Sequence, residues 1–299
     1  MFAILGFYKF KKISNLNIKK KLLYRFFKIK KIRGSIILSR EGINGTIGFN
    51  NNKYNLINNH LKKILNIKNF DNENLSFCKY QAFHKGKIKI KKELVPIGIN
   101  LNKRILNNQI EPKKWNKFIK KKNTILIDTR KNFEYRVGTF KGSLNPKLKN
   151  FRDFPKFFRT LKKDSNIGMF CTGGIRCEKA SAYLVKKGFK NVYQLNGGII
   201  NYLSKIEKKK SMWKGECFVF DNRVSIKHGL KQGNFKICPG CREPISNSEI
   251  KSNEYEEGVS CPNCFYKLTN DQKKRFRMRQ KQINVAKVLG KKFFYQREI

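Results

Sequence analysis

Residues 170–184, FCTGGIRCEKASAYL, join a short apolar strand to a helix through a loop with a thiol at each end. The strand is NIGMF, residues 166–170, a continuous apolar run of the kind buried in a parallel sheet. Helical periodicity starts near Glu178 and continues through EKASAYLVKKGF. Open α/β sheets bind their ligands just past the carboxyl ends of strands, and Cys171 falls there. Gly173 and Gly174 let successive backbone N–H groups turn inward as a nest for negative charge. The helix N-terminus adds its partial positive charge, and Arg176 adds a full one. All three favour thiolate over thiol. Cys171 is therefore expected to be a nucleophile with a depressed pKa, cradled by Thr172, Gly173, Gly174 and Ile175. The competing reading is a cysteine buried at a strand end, with glycines that only serve the turn. Cys177 either resolves an oxidised or persulfidated Cys171 or simply points into the domain.

Outward from this loop the pattern alternates. TILIDT (124–129) reads as a buried strand, KNFEYRVG (131–138) as a helical turn and FRDFPKFFRTLKK (151–163) as a helix. NVYQL (191–195) is a further strand, and NGGIINYLSKI (196–206) a helix begun by a Gly-Gly turn. Alternating strands and helices predict a doubly wound sheet over residues 117–212. Asp128 and Arg130 are expected to hold the loop by charged hydrogen bonds, with Glu134 and Arg136 in lesser roles of the same kind.

Residues 1–99 read as β-α-β-β-α-β, a ferredoxin-like split βαβ unit, with a hairpin in GSIILSREGINGTIGF turning at its Gly-Asn-Gly. A polar stretch, 100–116, reads as a linker leading into a helix. From 213 to 299 the character changes again: strands in GECFVFDNRVSI, then CPGC and CPNC, then a basic, aromatic-interleaved segment. Cys238-x-x-Cys241 and Cys261-x-x-Cys264, nineteen residues apart, can place four thiolates on one structural zinc ion. The alternative is four reduced thiols packed in a small domain. Cys78 and Cys217 lack such spacing and read as buried fillers.

The 299 residues carry 68 Lys+Arg against 20 Asp+Glu, a net charge of +48. That balance points to nucleic acid, but lysine, isoleucine and asparagine share AT-rich codons and are enriched together, so base composition inflates it. What remains favours an acidic partner over a neutral small molecule. The opening MFAILGFYKFKK is too short in apolar residues for a signal peptide, and no run has the length of a membrane span. The chain thus reads as soluble and cytoplasmic, with its cysteines reserved for metal or redox chemistry. Only His60, His84 and His228 occur, without ligand spacing, and no dinucleotide or flavin fingerprint is present.

CTGGIR resembles the six-residue active loop of rhodanese domains, and LIDTRKNFEYRVGTFKGSLN (126–145) and GFKNVYQLNGGI (188–199) are similar to the flanking parts of that fold. Four residues separate Cys171 from Arg176, one fewer than in phosphatases of the same architecture, which suits a sulfur-bearing cradle. FCTGGIRCEKASAYL, REGING (40–45), GECFVFDNRV (215–224) and the paired CPGC and CPNC together resemble the tRNA uridine(34) hydroxylase family, in order along nearly the whole chain. The resemblance implies oxygen-dependent formation of 5-hydroxyuridine at the wobble position, with Cys171 as the persulfide-forming residue, dioxygen as co-substrate and an electron donor that the residues do not identify. The partner it implies is the anticodon stem-loop of tRNA. Arg40, with Glu41 and Asn44 on the hairpin, and Arg275, Arg277 and Arg279 are the candidate RNA contacts. The loop chemistry fits a sulfurtransferase equally well, one that passes sulfane sulfur from Cys171 to tRNA or another acceptor. A non-catalytic RNA-binding adaptor is the third reading; an intact Cys171 and Arg176 argue against it.

Overall fold

The computed structural model describes residues 1–98, 108–148 and 150–290. Its first unit contains β1 (Phe2–Phe10), α1 (Leu16–Lys30), β2 (Arg33–Ser39), β3 (Gly42–Asn50), α2 (Tyr54–Leu65), β4 (Asn72–Cys78) and β5 (Gly86–Ile90). The sheet order is β4-β1-β3-β2-β5. The first four strands are antiparallel in the ferredoxin-like order, and β5 adds an edge strand parallel to β2. Period-two patterning explains why one face is dry. Ala3, Leu5 and Phe7 of β1 pack with Leu23, Phe26 and Phe27 of α1 and Ile57 and Leu61 of α2. The other face carries Gly6, Tyr8, Asn44 and Thr46, which look across to the second unit.

The hairpin between β2 and β3 turns at Arg40 and Glu41, with Ser39 paired to Gly42. The expected Gly-Asn-Gly turn lies inside β3, because Gly42, Asn44 and Gly45 are all paired with β1. These residues let neighbours approach: a Cβ on Gly42 would sit 2.0 Å from the carbonyl of Lys9.

The second unit holds β6 (Gln109–Ile110), α3 (Pro112–Ile119), β7 (Thr124–Asp128), α4 (Asn132–Val137), β8 (Gly138–Phe140), α5 (Phe154–Phe157), β9 (Asn166–Phe170), α6 (Ile175–Lys186), β10 (Val192–Leu195) and α7 (Gly198–Lys205). Four of its strands form a parallel sheet, β6-β10-β9-β7. The stretch read as a linker lies outside the described residues up to 107. Beyond that, Gln109 and Ile110 pair with β10 as an edge strand, and the helix into which the stretch leads is α3, docked through the fully buried Trp115. The helix expected over 151–163 is broken into two 3-10 turns around a single turn of α-helix. Pro155 fits only a first turn, and packing draws Phe151, Phe154 and Phe158 into the core as adjacent rings.

The last part contributes β11 (Trp213–Gly215), β12 (Cys217–Phe218), β13 (Ser225–Ile226), β14 (Lys236–Ile237), β15 (Pro244–Ile245) and α8 (Asn270–Val288). β11 pairs antiparallel with β8, which joins this part to the second unit. Phe140 meets Phe170, Tyr202 and Trp213 edge-on, contacts worth about 0.5–1.5 kcal/mol each beyond burial. That cluster anchors the residue immediately before Cys171.

Candidate active site

Cys171 leaves the end of β9 fully buried. Gly174 adopts φ +97° and starts α6, and its N–H donates to Cys171 Sγ at 3.1 Å. A side chain there would be strained and would approach Tyr8 Oη at 3.2 Å, so the tight return needs glycine. The α6 segment carries two alanines, two lysines and a leucine, good helix formers, and ends as Phe189 N–H bonds back to the Leu184 carbonyl beyond Gly188 at φ +86°. From below, Ile199 N–H donates to the carbonyl of Cys171 and Ile200 N–H to that of Thr172, fixing the loop on α7.

Burial alone would raise the Cys171 pKa. A hydrogen bond from the Cys177 thiol, the Arg176 charge and the backbone N–H groups of Cys177 and Arg176 outweigh it, bringing the thiol down to about 6. Cys177 moves the other way, pushed well up by burial and by the neighbouring thiolate. It lies 3.6 Å from Thr129 Oγ1. The two shifts run in opposite directions and favour the thiolate on Cys171 and the proton on Cys177.

Arg176 is held by Glu134 through two parallel bonds of 2.8 and 2.9 Å, and it also donates to Thr172 Oγ1. Burial would raise the Glu134 carboxyl, but Arg176 and Arg130 hold it below the usual carboxylate range. Glu134 also accepts the Lys131 N–H and so fastens the start of α4. The direct charged contact to the loop thus comes from Glu134, which sequence reading gave a lesser role. Asp128 and Arg130 form a bidentate pair at the end of β7, and Arg130 donates onward to the Gly138 carbonyl. They brace the strands on which the loop rests. Arg136 turns away to Glu243, Asn263 and Glu249 of the Cys-rich part.

The loop opens into a cavity of about 750 Å³ between the first two units, lined by the uncovered sheet face on one side and by Cys171, Thr172, Gly173 and Arg176 on the other. Asn72 Nδ2 donates to the Gly173 carbonyl and Asn74 Nδ2 to that of Gly197, so β4 is bonded directly to the loop region. Tyr8 Oη and Gln109 both donate to Glu178 in the first turn of α6. Lys131, Arg152 and Phe220 stand at the cavity margin. A buried thiolate at the floor of a polar-rimmed cavity can attack a sulfur or another electrophile brought within it.

Residues 2–94 match the UPF0176 acylphosphatase-like domain and residues 111–205 the rhodanese-like domain. A tRNA uridine(34) hydroxylase of Pelagibacter ubique (strain HTCC1062) is 58% identical over 100% of this chain and 99% of its own length. The chain belongs to the tRNA uridine(34) hydroxylase family. A second family member, from Prochlorococcus marinus (strain MIT 9215), is 41% identical over 98% of this chain and 96% of its own. A rhodanese-related protein of Thermoplasma volcanium aligns over 33% of this chain and 92% of its own at 22% identity, with a TM-score of only 0.29.

The family-like REGING segment is a clamp between units. Glu41 pairs at 2.8 Å with Lys179 of α6, which is wholly buried and also meets Glu93 at 2.9 Å. Asn44 lines the Cys171 cavity, while Arg40 is exposed at the turn and away from it. Of the basic helix, Arg277 is bidentate to Glu256, and Arg279 bonds the carbonyls of Pro239 and Gly258 while stacking on Phe276. These two dock α8 on the Cys-rich knuckles; Arg275 is exposed. Cys238, Cys241, Cys261 and Cys264 bring their sulfurs within 4.8 Å of one another and could hold a metal ion. Three of the six separations, at 3.8–3.9 Å, match the spacing of about 3.8 Å that a tetrahedron of 2.3 Å zinc–sulfur bonds requires. Among the described residues no other group of three or more His, Cys, Asp or Glu lies close enough to share an ion. Cys217 and Cys78 are buried, and burial pushes the Cys217 thiol up to about 12. No helix among the described residues is long and apolar enough to cross a membrane.

Proposed function

We propose that this chain is the enzyme that hydroxylates uridine 34 of tRNA to 5-hydroxyuridine in the cytoplasm, with dioxygen as co-substrate and Cys171 as its reactive sulfur. One observation carries the reading: full-length similarity to tRNA uridine(34) hydroxylases coincides with a thiol brought down to about 6 on the floor of an inter-unit cavity. In this account one oxygen atom enters C5 of the uracil and the other leaves as water. Two electrons and two protons come from an external reductant.

Cys171 acts as the persulfide-forming nucleophile: its thiolate attacks the sulfane sulfur of a donor, and the donor's own thiolate or sulfite departs. Arg176 and the Gly174 N–H stabilise the anion, and Thr172, Gly173 and Ile175 shape the space above it. Cys177 keeps the proton that can return to Cys171. Glu134, Asp128 and Arg130 are positioning residues. Cys238, Cys241, Cys261 and Cys264 hold a structural zinc ion, whose four protein ligands leave no open position for chemistry. Arg40 and Arg275 contact RNA backbone away from the cavity, and the anticodon stem-loop is the part of tRNA that enters.

The test uses purified wild-type protein and Cys171→Ala with unmodified tRNA, with and without oxygen, followed by high-resolution mass spectrometry of nucleosides. Cysteine- and oxygen-dependent 5-hydroxyuridine is expected. A thiolated nucleoside formed without oxygen from a sulfur donor would instead place the chain among sulfurtransferases, the reading that the anion cradle alone favours equally.

A further inference from the structure

A second cavity, of about 1010 Å³, lies beside the first and is lined by β5 of the N-terminal sheet and by the tip of the hairpin between β12 and β13. Phe220 borders both cavities. We propose that this groove is the track on which the anticodon loop lies: Lys85, Lys87 and Lys89 hold its phosphates, and Phe220 stacks an unpaired base beside the one delivered to Cys171. This deepens the proposed function and rests on it.

Lys87 and Lys89 alternate with the buried Ile88, and in register with Ser35 and Ile37 they share the open face of the sheet with Asn44 and Thr46 of the Cys171 cavity. All three lysines are exposed, and among the described residues none has an acidic partner. Asp221 is the one carboxylate among the residues that line the groove, and Arg223 already takes it in a bidentate pair. The groove is therefore net basic without internal compensation, and Arg242 adds a further charge on its far side.

Phe220 is 66% exposed, yet the residues on either side of it are tightly held. Val219 N–H bonds the Val224 carbonyl, Asn222 N–H bonds the Ala82 carbonyl, and Arg223 reaches Ser76 Oγ at 2.8 Å. The ring leans edge-on against Phe218, which is itself buried. A large ring kept in water on a fixed tip, between a lysine row and a reactive thiol, suits base stacking. Lysines on an edge strand also deter edge-to-edge pairing, but that role needs no aromatic platform.

The test measures binding of a fluorescein-labelled anticodon stem-loop by anisotropy across a salt series, alongside hydroxylation of full tRNA. Phe220→Ala should weaken binding roughly 5- to 150-fold, and Phe220→Trp should retain it. Lys85→Gln/Lys87→Gln/Lys89→Gln should lower the salt slope by about 2, three contacts at about 0.7 each. Lys20→Gln/Lys21→Gln/Lys28→Gln on α1, which covers the opposite sheet face, removes equal charge and should leave most of the slope. Circular dichroism checks that every variant is folded. If wild type binds and modifies tRNA while both groove variants match it, the track is refuted and the proposed function stands. If wild type neither binds nor modifies RNA, both fall.

Discussion

Replacing Cys177 by alanine removes the thiol that donates to Cys171 while leaving Arg176 and the backbone N–H groups in place. A hydrogen bond to a charged group contributes about 1.5–3 kcal/mol, and each pKa unit corresponds to about 1.36 kcal/mol. Losing the donor should therefore carry Cys171 from about 6 to between about 7 and 8. The sign follows from linkage: the donor favours thiolate, so its removal leaves the thiol protonated over a wider range of pH. The assay is the rate of Cys171 alkylation by iodoacetamide against pH, read by peptide mass spectrometry. Wild type should half-saturate near 6, Cys177→Ser close to it, and Cys177→Ala at the higher value. Cys177 itself should stay silent through this range, because burial and the adjacent thiolate hold its proton on. A midpoint unchanged in Cys177→Ala would refute the reasoning and leave Arg176 and the backbone as sole causes.

Glu134→Ala would leave the Arg176 guanidinium without its two bonds; breaking such a buried pair should cost about 3–5 kcal/mol in urea denaturation, and a loss below about 1 kcal/mol would contradict its bracing role. Lys179→Met should destabilise by a similar amount at pH 7, since Glu41 and Glu93 would face each other without their cation. Burial would raise the Glu93 carboxyl, but Lys179 lowers it. Its stabilising contribution is thus present above the ordinary carboxylate range and lost as pH falls, so the gap between wild type and Lys179→Met should narrow below about pH 4. A strong chelator should release about one metal ion per chain and unfold the Cys-rich part, read by colorimetric zinc titration and by a falling melting temperature; no released metal would remove zinc from the account.

The loop was legible because its chemistry is local. Strand, thiol, two glycines, arginine and helix follow one another in six or seven positions, and each acts on Cys171 through backbone geometry that spacing determines. The order of elements around it was legible for the same reason. What escaped sequence reading is carried by contacts between distant residues. Glu134 outranks Asp128 and Arg130 as the loop's partner only because α4 folds back over residues 172–176. Glu41 reads as a turn residue until Lys179, 138 positions later by number, is buried against it. The basic row of α8 suggests RNA, but the acidic and carbonyl groups that take Arg277 and Arg279 belong to the Cys-rich knuckles. Phe220 carried no pattern at all; its place between two cavities comes from a hairpin tip fastened to the N-terminal unit. Charge counted along the chain could not separate such cases, because base composition spreads lysine everywhere.

The central claim is that the Cys171 loop serves oxidation of uridine 34 and not sulfur transfer. Tracing the new atom tests it most directly. Wild-type protein and Cys171→Ala would be supplied with reductant, unmodified tRNA and either ¹⁸O₂ in ordinary water or ordinary oxygen in H₂¹⁸O. The account predicts 5-hydroxyuridine at position 34 labelled from the gas alone, and none with Cys171→Ala. Label from water, sulfur in place of oxygen, or an unaffected Cys171→Ala would contradict it.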